Sequence, residues 1–239
     1  MVTPSYSLCC TGKRLIAPNV YELRFIKPEH FTFKAGQFVL FDVPLIETPA
    51  DIQPRAYSIA SAPADPELLF AIQLKPGGRA SAWVEHVVSE GSVISAKGPF
   101  GFFTIDPESK HQLVLLATGA GVVPFRSHIR WLLLEEKSSM PIRLVFGGRH
   151  EENLFWMNEF RELARVHPHF HFHPSLTQPS AEWKGEEGRV QAVCERLIAD
   201  FSNVNLYVCG SPAMVADVKK TALDVWHMEK KNVHTEGYV

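Results

Sequence analysis

The pattern of hydrophobic and polar residues changes character near residue 106. Before that point, short runs of alternating apolar and polar residues are separated by turns that contain proline and glycine. These runs are 21–26, 37–43, 56–60, 68–74 and 92–96. Alternation with a period of two is typical of strands that bury one face. This half of the chain therefore predicts a small antiparallel barrel or sandwich.

After residue 106, nearly continuous apolar strands alternate with amphipathic helices. Strands at 113–117, 142–146 and 205–209 lead into helices at about 124–137, 155–166 and 213–228. Strands that are apolar on both faces are typical of a parallel sheet covered by helices on each side. The chain thus predicts an antiparallel β-barrel domain at 1–106 and a Rossmann-like α/β domain with a parallel sheet at 107–239.

Composition adds limits to this interpretation. A chain of 239 residues that is 46% hydrophobic can bury one large core or two small ones, and two is the commoner outcome at this length. The net charge of −2 gives no reason to expect nucleic acid as a partner. No apolar run approaches the ~18 residues of a membrane span, and the first residues lack the layout of a signal peptide. We expect a cytoplasmic protein that binds neither nucleic acid nor membrane.

The cysteines do not form a recognisable set of ligands. They are Cys9, Cys10, Cys194 and Cys209. This scatter fits neither a disulfide framework nor a zinc site, and it lacks the closely spaced cysteines of a plant-type iron-sulfur cluster. Any iron-sulfur cluster that exchanges electrons with this protein is therefore expected on another chain.

The first candidate motif is Arg55-Ala56-Tyr57-Ser58-Ile59-Ala60-Ser61. An arginine can form a bidentate ion pair with a pyrophosphate. Tyr57 lies two residues further along the same strand face and can stack on a flat ring. Ser58 adds a small hydroxyl. Taken alone, the segment also fits an ordinary strand with an exposed arginine and a half-buried tyrosine.

A second motif, Pro76-Gly77-Gly78-Arg79-Ala80-Ser81, comes directly before a helical stretch at 82–88. Glycines at the start of a helix expose backbone N–H groups to an anion, with Ser81 as cap or phosphate ligand. The alternative is a plain turn with a serine cap.

The third motif is Thr118-Gly119-Ala120-Gly121, which follows the strand at 113–117. A buried strand that runs into Gly-x-Gly and then a helix brings a pyrophosphate to the helix N-terminus. The longer dinucleotide fingerprint is absent, because Val122 and Val123 stand where its spacing and third glycine belong. Arg126, one turn into the helix, is either a ligand of the cofactor phosphates or a solvated helix residue.

The fourth motif, Cys209-Gly210-Ser211-Pro212, ends a strand of the second half. Ligands of open α/β sheets bind at the carboxyl ends of the strands. The alternative is a buried structural cysteine.

In this order, the motifs resemble those of the ferredoxin-NADP reductase superfamily. Its plant-type members carry similar "R-x-Y-S-I-A-S", "T-G-x-G-x-x-P-F-R-S" and "C-G-x-P" segments, and the turn Gly98-Pro99-Phe100-Gly101 resembles the family's "G-P-x-G" loop. Ala117 and Val123 depart from the glycine and alanine that members often carry. The resemblance covers essentially the whole chain, as far as Glu236.

The resemblance implies a flavoenzyme in which hydride passes from nicotinamide C4 to flavin N5. The FAD ligands would be Arg55, Ala56, Tyr57, Ser58, Gly77, Gly78, Arg79, Ala80 and Ser81. The ligands of NADH or NADPH would be Thr118, Gly119, Ala120, Gly121, Arg126, Arg149, Cys209, Gly210 and Pro212. The catalytic positions would be Ser58, Cys209 and Glu236. Tyr238 stands near the place where many members put an aromatic residue against the flavin, although Val239 follows it.

The choice of nicotinamide depends on the 2′-phosphate of NADPH. Relatives that prefer NADPH commonly place a Ser-Arg pair after the third strand of this domain, whereas this chain has Leu176-Thr177-Gln178-Pro179. Without that arginine the phosphate lacks a partner there. Arg149, after Gly147-Gly148, is an alternative partner. We expect NADH.

The resemblance also implies an electron acceptor that is a separate protein: a ferredoxin, a flavodoxin or an oxygenase component. Reduction of free flavin is the first alternative, since free-flavin reductases share the features Gly147-Gly148-Arg149 and Trp183-x-Gly185. A flavin-binding electron-transfer subunit without nicotinamide activity is the second.

The histidines at 167, 169, 171 and 173 invite a different interpretation. Alternate residues of a strand share a face, so three imidazoles could line up like metal ligands. The same alternation places Phe170 and Phe172 inward on an ordinary strand, and no Cys, Asp or Glu in the segment completes a ligand set. We expect an ordinary strand and no metal.

Overall fold

The computed structural model describes residues 3–238. Its contacts divide the chain into two compact units. The first unit runs up to Ile105 and also includes Arg126–Glu135. The second comprises Asp106–Phe125 and the chain from Glu136 onward.

The first unit is built on a six-stranded antiparallel sheet in the order β4-β3-β6-β1-β2-β5. A helix, α1 (Arg79–His86), lies between the last two strands in the sequence. The strands are β1 (Ser5–Ala17), β2 (Val20–Ile26), β3 (Phe38–Leu45), β4 (Thr48–Ser58), β5 (Glu67–Gln73) and β6 (Val93–Phe100).

Alternate residues of these strands enclose one aromatic core. The Phe41 ring lies 4.9 Å from the Phe70 ring and 5.7 Å from the Trp83 ring of α1, between centroids. All three side chains are fully buried, and each such burial contributes about 1.5–3 kcal/mol. The expected antiparallel barrel is confirmed.

β4 differs most from its expected extent, because its exposed first half lacks a regular alternation. β4 begins at Thr48 rather than at 56 and ends at Ser58, and its first seven residues are exposed. β1 was not expected from the pattern. It mixes polar and apolar residues, and β2 pairs with it on one side and β6 on the other.

The second unit contains a six-stranded parallel sheet in the order β10-β9-β8-β7-β11-β12. Its strands are β7 (Gln112–Thr118), β8 (Ile142–Gly148), β9 (Phe170–Leu176), β10 (Glu186–Glu187), β11 (Val204–Gly210) and β12 (Val233–Gly237). From β7 the strand order runs outward through β8 to β10 on one side and through β11 and β12 on the other. The order therefore reverses between β7 and β11, and open α/β sheets bind ligands at the carboxyl ends of the two strands at such a point. The expected Rossmann-like parallel sheet is confirmed.

The helices that follow the strands are α2 (Val122–Arg130), α3 (Met157–Val166), α4 (Val190–Leu197) and α5 (Pro212–Asp224). α4 has no counterpart among the expected helices. α2 starts two residues earlier than expected and continues as a π-helical turn at Trp131–Glu135. From Arg126 onward its contacts assign it to the first unit.

The second half of the histidine segment belongs to β9, an ordinary strand that begins at Phe170. Phe170 is buried, the Phe172 ring contacts the Phe160 ring of α3 at 5.2 Å, and His171 is exposed. Within residues 3–238, no three His, Cys, Asp or Glu side chains are grouped as a metal site requires. The same stretch of chain has no helix that is both long and apolar enough to span a membrane.

Candidate functional site

We name residues 55–58, at the end of β4, the flavin strand. They pair with β3 in the first unit, with Ser58 opposite Phe38. The Tyr57 ring lies 5.7 Å from the Phe41 ring, and burial raises the pKa of its hydroxyl to about 12. Tyr57 is therefore a neutral, anchored ring. Ser58 is only 6% exposed, whereas Ala56 is exposed.

Arg55 shares a strand face with Tyr57. Its guanidinium donates to the Pro54 carbonyl at 3.0 Å and to Gln53 Oε1 at 2.6 Å. Both acceptors are neutral, and none of the ion pairs among the described residues involves Arg55. The positive charge of Arg55 is therefore not neutralised by these contacts, and its guanidinium can bind a pyrophosphate oxygen.

The start of α1 is a second place for an anion. Gly77 and Gly78 form the turn before the helix, and Gly78 is its N-cap residue, without a side-chain cap. The N–H groups of the first helical turn, which includes Ala80, have no acceptor inside the helix. Ser81 does not cap them, because its hydroxyl accepts the Lys75 N–H at 2.7 Å.

Arg79 is already paired. Its two terminal nitrogens donate to the Asp51 carboxylate at 3.1 and 2.8 Å and to the Asp51 carbonyl at 2.7 Å. This pairing lowers the pKa of Asp51. Because Asp51 belongs to β4, the ion pair brings the start of α1 against the strand that carries Arg55. The sequence carries no signal for Asp51, since it lies in the exposed part of β4.

These residues fit FAD. An arginine without a carboxylate partner and a helix N-terminus with unsatisfied N–H groups suit the pyrophosphate. A half-buried tyrosine ring suits the flavin. The individual ligands remain predictions.

In the second unit, the Gly-x-Gly turn lies at the expected sheet edge. Gly119 and Ala120 form a 3-10 turn with Gly121, directly after Thr118. A Cβ atom on Gly121 would lie 2.1 Å from the Cys209 carbonyl oxygen. A side chain at this position would therefore force apart the turn and β11, which explains the glycine.

Cys209 is the centre of the other candidate group. It pairs with Ala117 on one side and with Glu236 on the other. Its thiol is fully buried and hydrogen-bonds to the Tyr238 hydroxyl. Burial raises the pKa of this thiol, and the charge of Glu236 raises it further. The sulfur is thus a neutral thiol at physiological pH.

The residues after Cys209 shape the start of α5. Gly210 accepts the Tyr238 N–H at 2.9 Å. Pro212 occupies the first turn of the helix, and the Ser211 hydroxyl caps it by accepting the Met214 N–H at 3.4 Å. The Ser-Pro pair is a typical helix start, so Ser211 was recognisable from the sequence.

Two further predicted ligands, Arg149 and Arg126, differ in their exposure. Arg149 is exposed in the loop after β8, where its carbonyl accepts the Gln178 N–H at 2.9 Å. Arg126 is 8% exposed and donates to the Ala60 carbonyl at 2.8 Å. The alternative of a solvated helix residue is therefore wrong for Arg126. The structure brings together Thr118, the Gly-x-Gly turn, Cys209, Gly210, Glu236 and Tyr238 in the second unit. In the first unit it joins the start of α1 to β4 through Arg79 and Asp51.

Comparison with known proteins first defines the class. Residues 8–105 match the oxidoreductase FAD-binding domain, and residues 115–220 match the oxidoreductase NAD-binding domain. A chain that joins these domains is a nicotinamide-dependent flavoprotein reductase, with FAD and NAD(P) as cofactors.

The relatives then define the family. Ferredoxin--NADP reductase B of Sorangium cellulosum is 33% identical over 234 residues, which cover 94% of this chain and 94% of that protein. The toluate 1,2-dioxygenase electron transfer component of Pseudomonas putida is 31% identical over 188 residues. The matched region covers 79% of this chain but only 54% of that relative. The crystal structure of Amycolatopsis cytochrome P450 reductase GcoB matches with a TM-score of 0.85 and 27% identity, over 99% of this chain and 71% of that one. The chain belongs to the ferredoxin-NADP reductase superfamily.

Proposed function

We propose that the protein oxidises a nicotinamide and passes the electrons singly to a separate protein, either a ferredoxin, a flavodoxin or an oxygenase component. This proposal rests on the match to a ferredoxin--NADP reductase, which covers 94% of this chain and 94% of that relative. The four cysteines support it, because they are far from forming the ligand set of an iron-sulfur cluster.

When bound, FAD supplies the conversion of a two-electron hydride into single electrons. The chain supplies binding and orientation. In our proposal, Arg55 and the start of α1 bind the pyrophosphate, and Tyr57 stacks on the flavin. Ser58 would offer its hydroxyl to the flavin ring. Cys209 would shape the site around the nicotinamide, and Glu236 would set the polarity and the proton supply there.

We infer that NADH is the preferred nicotinamide. Two loops at the carboxyl edge of the sheet, after β8 and β9, are hydrogen-bonded to each other. Glu151 in the first accepts the Ser180 N–H of the second at 2.8 Å. This interaction lowers the pKa of Glu151 and keeps its carboxylate charged. A fixed negative charge at this edge disfavours the additional phosphate of NADPH, whereas the exposed Arg149 favours it.

One experiment tests both statements. The FAD-loaded protein is mixed anaerobically with NADH or NADPH, and then with a panel of a [2Fe–2S] ferredoxin, a flavodoxin and free FMN. We expect kcat/KM for NADH to exceed that for NADPH by at least about tenfold, a difference of ~1.4 kcal/mol. We also expect saturable reduction of at least one protein acceptor. Preference for NADPH would contradict the first inference.

Reduction of free FMN alone, with no protein acceptor reduced, would instead identify a free-flavin reductase. That alternative keeps support from Gly147-Gly148-Arg149 and Trp183-x-Gly185. A yellow protein that reacts with neither nicotinamide would identify an electron-transfer subunit. We also infer that the protein acts in the cytoplasm, an inference that its four free cysteines support.

A further inference from the structure

The second half of α2 contacts the segment that directly follows the flavin strand. Arg126 Nη1 donates to the Ala60 carbonyl at 2.8 Å, and Ser127 Oγ donates to the Ser61 carbonyl at 2.6 Å. Arg126 is 8% exposed and Ser127 is fully buried. The two carbonyls that lie two and three residues beyond Ser58 are therefore bound by side chains of a helix.

The contacts of this helix continue along the same segment. Arg130 forms an ion pair with Asp65 at 2.9 Å. The Asp65 carboxylate also accepts the Ala62 N–H at 2.8 Å. Glu135, in the π-helical turn, accepts the Ala64 N–H at 2.9 Å. Four side chains between residues 126 and 135 thus bind the segment 60–65 along its length.

The opposite side of the segment is bound to the barrel. The Ile59 N–H donates to the Gln37 carbonyl at 3.0 Å, and the Ala60 N–H donates to the Leu69 carbonyl at 2.7 Å. The backbone after Ser58 is therefore held from two sides. Any shift of Ser58 along the strand requires breaking hydrogen bonds on both of them.

The burial of Arg126 indicates which role this arginine has. A ligand of the nicotinamide phosphates needs a guanidinium that can be reached from solvent, and this one is nearly covered. A buried charge is costly unless it is hydrogen-bonded, and the Ala60 carbonyl provides one such bond. The sequence pattern alone left Arg126 as a ligand or a solvated residue, and the geometry points to a third role.

We propose that Arg126 and Ser127 are positioning residues for hydride transfer. They hold the chain beyond the flavin strand and so keep Tyr57 and Ser58 in fixed positions against the flavin ring. The proposal rests on the assignment of the flavin strand to the flavin site. Because misplacement of about 1 Å can cost on the order of 10²-fold in rate, loosening this segment slows the chemical step more than it weakens nicotinamide binding.

The test uses the full chain loaded with FAD, in the variants Arg126→Gln, Arg126→Lys and Ser127→Ala. Arg161→Gln is the control, since Arg161 is an exposed arginine of α3. Anaerobic rapid mixing with a series of NADH concentrations gives the limiting rate of flavin reduction and the apparent Kd for NADH. No acceptor is present, so failure of the proposed acceptor does not affect the result.

For Arg126→Gln we expect a limiting rate at least about tenfold lower, an apparent Kd within about twofold of the parent, and a shifted visible spectrum of the bound flavin. Arg126→Lys recovers part of the rate, and the control behaves as the parent. A Kd raised about tenfold at an unchanged limiting rate overturns the proposal, because Arg126 is then a nicotinamide ligand. An unchanged rate, Kd and spectrum also overturn it. If Arg126→Gln does not retain FAD, parent-like limiting rates in both Arg126→Lys and Ser127→Ala overturn it.

Discussion

Arg55 differs from most other arginines of the first unit in the partners of its guanidinium. Arg14, Arg24, Arg79 and Arg130 all form ion pairs with carboxylates. Arg55 instead donates to a carbonyl and to a glutamine side chain. The charge of Arg55 is thus available to a bound anion, unlike the charges of these four arginines.

Substitution of Arg55 tests this difference. We predict that Arg55→Ala weakens FAD binding by about 1.5–3 kcal/mol, the range for a hydrogen bond to a charged group, or roughly 10- to 100-fold in Kd. The measurement is a titration of apoprotein with FAD, followed by flavin fluorescence. Arg161→Ala is the control for loss of a surface charge. Equal FAD affinity in parent and Arg55→Ala would remove Arg55 from the site.

Cys209 lies where three parallel strands meet, between Ala117 and Glu236. Its sulfur is a buried neutral thiol, so its contribution to chemistry is shape rather than charge. We predict that Cys209→Ala slows flavin reduction by NADH at least about tenfold, because loss of the buried sulfur loosens the sheet edge that we propose positions the nicotinamide ring. Rapid anaerobic mixing measures this rate, with FAD content and circular dichroism as controls for folding.

The raised pKa of the Cys209 thiol adds a condition to that prediction. Since the thiol stays protonated through neutral pH, the ratio of parent to Cys209→Ala rates should be the same at pH 6.5 and at pH 8.5. A parent rate in the variant would make Cys209 a core residue only. A ratio that changes with pH would show that the thiolate takes part.

At the scale of elements, the part of α2 from Arg126 onward packs against loops of the first unit. His128 Nε2 lies 2.9 Å from the Phe103 carbonyl oxygen, and the side chain is fully buried. A Cβ atom on Gly36 would lie 2.2 Å from the same nitrogen. Gly36 also has a φ of +90°, so both its conformation and the space beside it favour glycine.

Burial of His128 makes the stability of the fold depend on pH. Burial lowers the pKa of His128 from 6.5 to about 4. Between these values the unfolded chain binds more protons than the folded one, so stability falls as the pH falls. We predict that the free energy of unfolding decreases by about 2 kcal/mol from this group between pH 7 and pH 5.

Urea unfolding at the two pH values measures this loss. His128→Gln, which has no titrating side chain at this position, is the matched variant. Between pH 7 and pH 5 its free energy of unfolding should fall by about 2 kcal/mol less than that of the parent. Parallel losses in parent and variant would show that other groups carry the pH dependence.

Strands and helices were predictable from the sequence where the apolar residues of the segment itself show the pattern of a strand or of a helix. β5 is apolar over most of its length and was expected within one residue of its bounds. The extent of β4 was mistaken because its first half is exposed, and β1 was missed because it mixes polar and apolar residues. Both strands depend on neighbouring strands for their pairing. The end of α2 at Arg130 was missed because nothing in the local sequence marks the π-helical turn that follows.

At the scale of the whole molecule, the division into units departs from the order of the chain. Residues 126–135 follow the Gly-x-Gly turn in the sequence, yet their contacts assign them to the first unit. The boundary at 106, expected from the change in pattern, remains a prediction for the domains. Hydrogen bonds between residues 66 positions apart, such as Arg126 with Ala60, leave no local pattern from which to infer them.

The sequence alone determined the two kinds of sheet, the positions of the four motifs and the cofactors that they imply. Period and composition are local properties, and they decide whether a segment becomes a strand or a helix. Tertiary structure decided the partners of individual side chains: the Asp51 carboxylate for Arg79, the Ala60 carbonyl for Arg126 and the Ser61 carbonyl for Ser127. Each of these pairs joins segments distant in the chain, so its formation depends on strand register and helix packing, which no single segment specifies.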